Sequence, residues 1–220
     1  MLRLFAAVLA AWLAAGTAAQ AAVITSSPTL PPLGVGFTLG SGGSCFPAVN
    51  VCAVPGVLTF TSIASSGFNS DGQDIVANAT LTAQITMPAQ PPIPVTLTGT
   101  LEEEVLGRMP TDVTGNWPTQ LLSVDLSGPV LGHTLSLGLD SSHTSTGGAS
   151  VDALPSQEDL FRVDSFFDVF VELSFDLNPP PSPPLTTTRG PIHIALIPEP
   201  DGLALLAVPL LWLAVRRRYG

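Results

Sequence analysis

Three observations predict an all-β protein, a single antiparallel β-sandwich or jelly-roll-like domain. Many short segments alternate apolar and polar residues with period two, Pro, Gly and Ser punctuate them densely, and helical periodicity is almost missing. The two ends of the chain break this pattern. The sequence therefore divides into residues 1–21, an N-terminal leader; 22–197, the β domain; and 198–220, a C-terminal segment with a hydrophobic helix.

Met1-Leu2-Arg3 supplies one positive charge, Leu4 to Ala15 is apolar, and Ala19-Gln20-Ala21 is a small-x-small site. This is the layout of a secretory signal peptide, with cleavage expected after Ala21. A permanent N-terminal anchor is the alternative, and the small residues beyond Ala14 argue against it. Export then requires the Sec translocase and a signal peptidase.

The next stretch, Ala22 to Gly43, is rich in Pro, Gly and Ser and is expected to be a partly ordered arm. Cys45 and Cys52 are the only cysteines. An even count in an oxidising compartment predicts one disulfide, closing a short loop worth about 2.5 kcal/mol. Their C-x6-C spacing is wrong for a zinc finger, no histidine lies nearby, and no C-x-x-C redox pair occurs.

Val57 to Ile63 reads as a strand. Ala77, Ala79, Leu81, Ala83, Ile85 and Met87 then alternate with Asn78, Thr80, Thr82, Gln84 and Thr86, and Val95, Leu97, Gly99 and Leu101 with threonines. The proline-rich stretch 88–94 between them joins neither ladder, so the pair is expected to be a hairpin with a stiff loop. Leu122, Val124 and Leu126 mark another strand, as do Leu135, Leu137 and Leu139. Leu154 to Leu160 allows one helical turn at most. The strongest late strand is Phe166 to Leu177, with Phe167, Val169, Val171, Leu173, Phe175 and Leu177 on one face. The other face carries Asp168, Glu172, Ser174 and Asp176, and also Phe166 and Phe170. A last strand is expected over Pro191 to Ile197.

The tail reads Pro198-Glu199-Pro200, an apolar run from Leu203 to Val215, then Arg216-Arg217-Arg218. Thirteen helical residues span roughly 20 Å, short of the ~30 Å bilayer core. The tail crosses only with flanking help, and Pro209 would kink it. Three arginines place the C-terminus on the cytoplasmic side, so the β domain faces outward. A terminal core helix is the competing reading, but that would show a polar face, and this run has none.

The tripartite tail resembles the PEP-CTERM sorting domain of Gram-negative bacteria, on Pro198, Glu199 and Pro200, the apolar run, and Arg216, Arg217 and Arg218. The resemblance covers about a tenth of the chain, and Pro209 departs from the usual pattern. It implies that an exosortase removes the tail near the triplet after a transient stay in the inner membrane. It further implies delivery to the cell surface or to the exopolysaccharide matrix. Cys45-Phe46-Pro47, residues 105–108, 123–128 and 164–170 also resemble segments shared by a group of these proteins, a likeness that implies no activity.

Chemistry is sparse. Residues 22–198 contain no lysine and carry Arg108, Arg162 and Arg189 against fifteen Asp and Glu, a net charge of −12. That excludes nucleic acid as a partner, which needs a basic footprint. His133, His143 and His193 are far apart, with no H-E-x-x-H or G-x-S-x-G motif. Glu102-Glu103-Glu104 reads as a solvated strand end that blunts edge pairing, with calcium binding or half of an acid/base pair as alternatives. Phe166, Phe170 and Trp117 are candidate stacking rings for sugars, and burial is favoured for the two phenylalanines. No catalytic residue, metal ligand or cofactor is assigned. The expected role is a structural, non-enzymatic surface or matrix protein. The alternatives are a carbohydrate-binding or calcium-dependent adhesion module and, third, a secreted hydrolase.

Overall fold

The computed structural model describes residues 22–40, 44–46, 50–155, 159–176 and 185–197. Eleven strands account for most of them: β1 (Ala22–Thr25), β2 (Gly36–Leu39), β3 (Ser44–Phe46), β4 (Val51–Phe68), β5 (Gly72–Thr86), β6 (Ile93–Leu106), β7 (Gly115–Val130), β8 (His133–Leu139), β9 (Thr146–Ala153), β10 (Phe161–Asp176) and β11 (Leu185–Leu196). No helix occurs among the described residues, and none there is long and apolar enough to cross a membrane.

All eleven strands belong to one antiparallel sheet, in the order β10-β11-β2-β4-β5-β6-β7-β8. The pairing then returns to its start. Residues 134–139 of β8 pair with residues 171–176 of β10, while β9 bridges Gly115–Thr119 of β7 to Phe161–Ser165 of β10. The all-β antiparallel expectation therefore holds, and the sheet closes on itself through β8, β10, β11, β2 and β4, while residues 61–68 of β4 and strand β1 are each paired on one side only among the described residues. Short strands β8 and β9 share one position in the ring, and the loop between them marks where they part.

Alternation explains which face is inside. Ile75, Ala77, Ala79, Leu81, Ala83 and Ile85 of β5 are buried, as are Val163, Phe167, Val169, Val171, Leu173 and Phe175 of β10. Outward positions carry Thr82, Gln84, Thr96 and Thr98. Such a polar exterior around an apolar interior is the reverse of a lipid-facing barrel. Three rings meet in the core: Phe37 packs edge-on to Phe60 at 5.2 Å and lies 6.4 Å from Phe167. The predicted β5–β6 hairpin is present with an unbroken register from Gly72↔Leu106 to Ile85↔Ile93.

Several elements depart from the sequence expectation. The stretch expected to be an arm holds β1 and β2, whose Val23 and Phe37 are buried. Strand β4 starts well before Val57, because Pro55 still pairs with Ala83, a bulge absorbs Gly56 and Val57, and Thr82 Oγ1 accepts from the Val57 N–H. A further bulge falls at Leu122 in β7, so Leu121 is buried and Leu122 is exposed, breaking the expected Leu122-Val124-Leu126 face. Strand β9 was not expected. Its Gly147-Gly148-Ala149 has little side chain to pattern. The Leu154 N–H donates to the Leu160 carbonyl, and residues 156–158, inside the stretch where one helical turn was allowed, lie outside the described residues.

Strands β1 and β11 lie in line along the same edge of β10. Ala22 stands opposite Asp164, and Ala195 opposite Phe166. Beyond β11 the Ile197 N–H donates to the Gly36 carbonyl, continuing the register with β2. The end of β11 and the start of β1 therefore meet beside Asp164–Phe166 of β10.

Closure is tight where β9 lies between β7 and β10. A Cβ on Gly147 would fall 2.3 Å from the Phe166 carbonyl oxygen and 2.6 Å from Thr119 Oγ1. The variant Gly147→Ala is therefore expected to lose about 2 kcal/mol, seen as a fall in melting temperature of roughly 6 °C. Gly67→Ala, where an added Cβ meets nothing within 4 Å, is the control expected to stay within about 0.5 kcal/mol. Equal melting temperatures for both variants would refute the tight seam.

Candidate functional site

Ala19, Ala21, Pro198, Glu199, Pro200, Arg216, Arg217 and Arg218 lie outside the described residues. Cys45 and Cys52 are directly opposed across the β3–β4 ladder and form the predicted disulfide, with Cα atoms 4.0 Å apart. The bridge staples a hairpin that borders a shallow hollow of about 380 Å³ with Thr86, Met87 and Pro88.

The acidic run is not a strand end. Glu102, Glu103 and Glu104 lie within β6, paired on both sides by β5 and β7. Glu102 and Glu104 share the outward face, accepting from Ser123 Oγ and Gln120 Nε2. Glu103 points into the closed sheet and is only 2% exposed, and neither carboxyl oxygen has a partner among the described residues. Burial pushes its pKa up to about 8, partly offset by the positive charge of Arg108. The edge-protection reading is therefore corrected: alternation places one carboxyl in the core, where the neutral acid is the stable form. Among the described residues no three His, Cys, Asp or Glu side chains converge to hold a metal ion.

Trp117 is also buried, at 8% exposure. The Arg108 guanidinium sits 4.9 Å above its ring, donating to Gln73 Oε1 at 3.0 Å and to the Pro28 carbonyl at 2.8 Å. Burial lowers the Arg108 pKa, and Asp112 and Glu103 oppose the shift. This cation pins the segment after β1 across the end of the sheet, with Leu30 buried beside it. Trp117 is a packing ring beneath a cation, and its face is closed to a sugar.

The histidines do not come together as a triad. In the β8–β9 loop, Asp140 Oδ2 and Ser142 Oγ both contact the same nitrogen of His143, Nδ1, at 3.0 and 2.9 Å. Ser142 itself donates to Asp140 through its hydroxyl and its backbone N–H, which holds that carboxyl below the ordinary aspartate range. A nucleophilic relay needs serine and aspartate on opposite ring nitrogens, so this loop is a polar turn by geometry. His133 lies apart, 5.4 Å from the Phe175 ring.

The feature that stands out is the outer face of β10. Phe166 is 40% exposed, and Phe170 is half-buried on the same face, which corrects the expectation that both are covered. Each ring leans over a glycine. A Cβ on Gly148 would come 2.9 Å from Phe166 Cε1, and one on Gly190 2.5 Å from Phe170 Cδ1. Each also meets an imidazole held by an aspartate. His193 lies 5.6 Å from Phe166, with Nδ1 2.8 Å from Asp168 Oδ1. His143 stacks on Phe170 at 4.2 Å, with Nδ1 3.0 Å from Asp140 Oδ2. The sequence places all three members of the first group on adjacent strands, but the second joins β10 to a loop 30 residues earlier, which no local pattern reveals. Beside it a groove of about 510 Å³ runs between Gln120–Val124 and the β8–β9 loop.

No protein family, no curated protein and no solved structure matches this chain.

The Glu103 carboxyl sets a pH dependence. Its folded pKa of about 8 exceeds the ordinary value of 4.5, so the folded state holds the extra proton. Stability is full below pH 4.5 and declines as pH rises towards 8, by about 5 kcal/mol in all. Glu103→Gln is expected to flatten that decline and to gain about 3 kcal/mol at pH 7. Urea melts of both forms from pH 4 to 9 decide it, and parallel curves would refute the assignment. Replacing Cys45 and Cys52 together by serine is expected to cost about 2.5 kcal/mol in the same melts.

Proposed function

We propose that this is an exported surface or matrix protein, non-enzymatic, whose C-terminal segment is a disposable handle removed by an exosortase. The observation that carries the reading is the ordered tail: Pro198-Glu199-Pro200, thirteen apolar residues, then Arg216-Arg217-Arg218. So short a run is a poor permanent span. The β domain supports it by position. Ala22 and Ile197, the residues that adjoin the leader and the tail, lie beside the same stretch of β10. A domain tethered by either segment would therefore be held at the same place on its surface. In this reading the closed sheet is a flattened, sandwich-like body, made durable outside the cell by its disulfide and by the ring of paired strands.

Mass spectrometry of the exported form from an exosortase-positive host tests this. The expected product begins at Ala22 and ends near Pro198–Pro200. Recovery of an intact C-terminus through Gly220 would refute the processing.

A second reading, a carbohydrate-binding module, is favoured by one observation. Phe166 and the Phe170–His143 stack lie on the outer face of a sheet, backed by glycines that let the rings lean over. Ring faces on a polar surface suit the C–H faces of sugars.

A further inference from the structure

The outer face of β10 carries the same three-part unit twice. Phe166, His193 and Asp168 form one, and Phe170, His143 and Asp140 the other. In each, an aspartate oxygen meets the imidazole at Nδ1. Each unit therefore offers an aromatic face beside a carboxylate. The His143 and His193 side chains are 50% and 57% exposed, open to a ligand from solvent.

The surroundings extend the same character. Outward positions along β10 read Asp164, Phe166, Asp168, Phe170, Glu172, Ser174 and Asp176, with Arg162 as the cation at the near end. Several neighbours are small: Gly148 and Ala195 flank Phe166, and Gly138 and Thr188 flank Glu172. The two phenylalanines are four residues apart, or roughly 13 Å. The result is a strip of sheet face with two aromatic stations and negative charge.

We infer that this strip binds an amine-bearing polysaccharide, with ring faces against sugar C–H surfaces and amines against Asp168 and Glu172. The inference rests on the carbohydrate-binding reading and adds the ligand's charge and the residues that meet it. Charge complementarity selects the class: a body of net charge −12 between residues 22 and 198 repels an acidic polymer and attracts a cationic one. An extended peptide is disfavoured by pairing. Strand β10 is bonded on both sides over most of its length, so no free edge is offered for strand addition.

The test uses the full chain in an uncharged polyoxyethylene detergent, titrated calorimetrically with four probes. These are glucosamine oligomers, their N-acetylated counterparts, alginate and oligolysine. Glucosamine oligomers are expected to bind at least tenfold more tightly than the other three. Asp168→Asn and Phe166→Ala are each expected to weaken that binding tenfold. Phe166→Tyr should keep it, and Asp71→Asn, in the distant β4–β5 turn, should leave it unchanged. Melting temperatures confirm folding of each variant, and Asp168→Asn, a surface change, keeps the test decisive should Phe166→Ala unfold. Equal binding of the N-acetylated oligomers, still lost on Phe166→Ala, would overturn the amine requirement while the carbohydrate-binding reading stands. Equal binding of oligolysine, or equal weakening by Asp71→Asn, would show a generic polycation effect and overturn the assignment to the β10 face. No binding of any sugar would remove both readings.

Discussion

Closure of the sheet is the constraint on which the other features depend. A sheet that ends where it began must pass β7, β9 and β10 through one narrow seam, and β9 meets that demand with Gly147-Gly148-Ala149. Small residues there let the backbones approach, but they leave empty space on both faces. Inside, Phe167 fills it and reaches Phe37. Outside, Phe166 leans across Gly148, which is why a large apolar ring sits on an otherwise polar face. The aromatic station at the surface and the packing of the core are thus two consequences of one closure.

The interior is less uniform than its alternation suggests. Towards the end where β1 leaves, Glu103, Thr119 and Ser165 are buried with side-chain oxygens that have no partner among the described residues, and Arg108 leaves Nε in the same state. Buried polar atoms without partners destabilise a fold by roughly 1–3 kcal/mol each. Arg108 offsets part of this by fastening Pro28 and covering Trp117. The opposite half is dry: Leu81, Leu97, Leu135, Leu173 and Ile192 surround a cavity of about 40 Å³. Stability is therefore concentrated in the apolar half, while the polar half responds to pH through a single carboxyl.

Much of the fold was legible because alternation is a local signal. Strands β5, β6 and β10 announce themselves by seven or so inward positions each, and the prolines of the β5–β6 loop mark its turn. What escaped was whatever depended on distant partners. Strand β2 is four residues in a glycine-rich stretch, and only the pairing of Phe37 with Leu58 and Leu196 makes it a strand. The bulge at Leu122 exchanges the inward roles of Leu121 and Leu122, and period two alone cannot reveal an inserted residue. Glu103 shows the same limit in reverse. Alternation sets Glu103 on the face opposite Glu102 and Glu104, yet three consecutive glutamates suggested solvent, because composition carries no information about what lies across a closed sheet. Likewise His143 gains its meaning from stacking on Phe170, a contact 27 residues away.

The position of the two aromatic stations relative to the chain ends follows from register. Ala22 and Ala195 flank the stretch of β10 from Asp164 to Phe166, so the first station stands beside the point where both termini leave. Phe170 and Glu172 lie farther along the same strand, at roughly 3.3 Å per residue. Phe166 is therefore the station nearer those chain ends and the Phe170–His143 stack the farther one. The row that carries both is limited by β10 itself, whose register with β8 and β11 ends near Phe175 and Asp176.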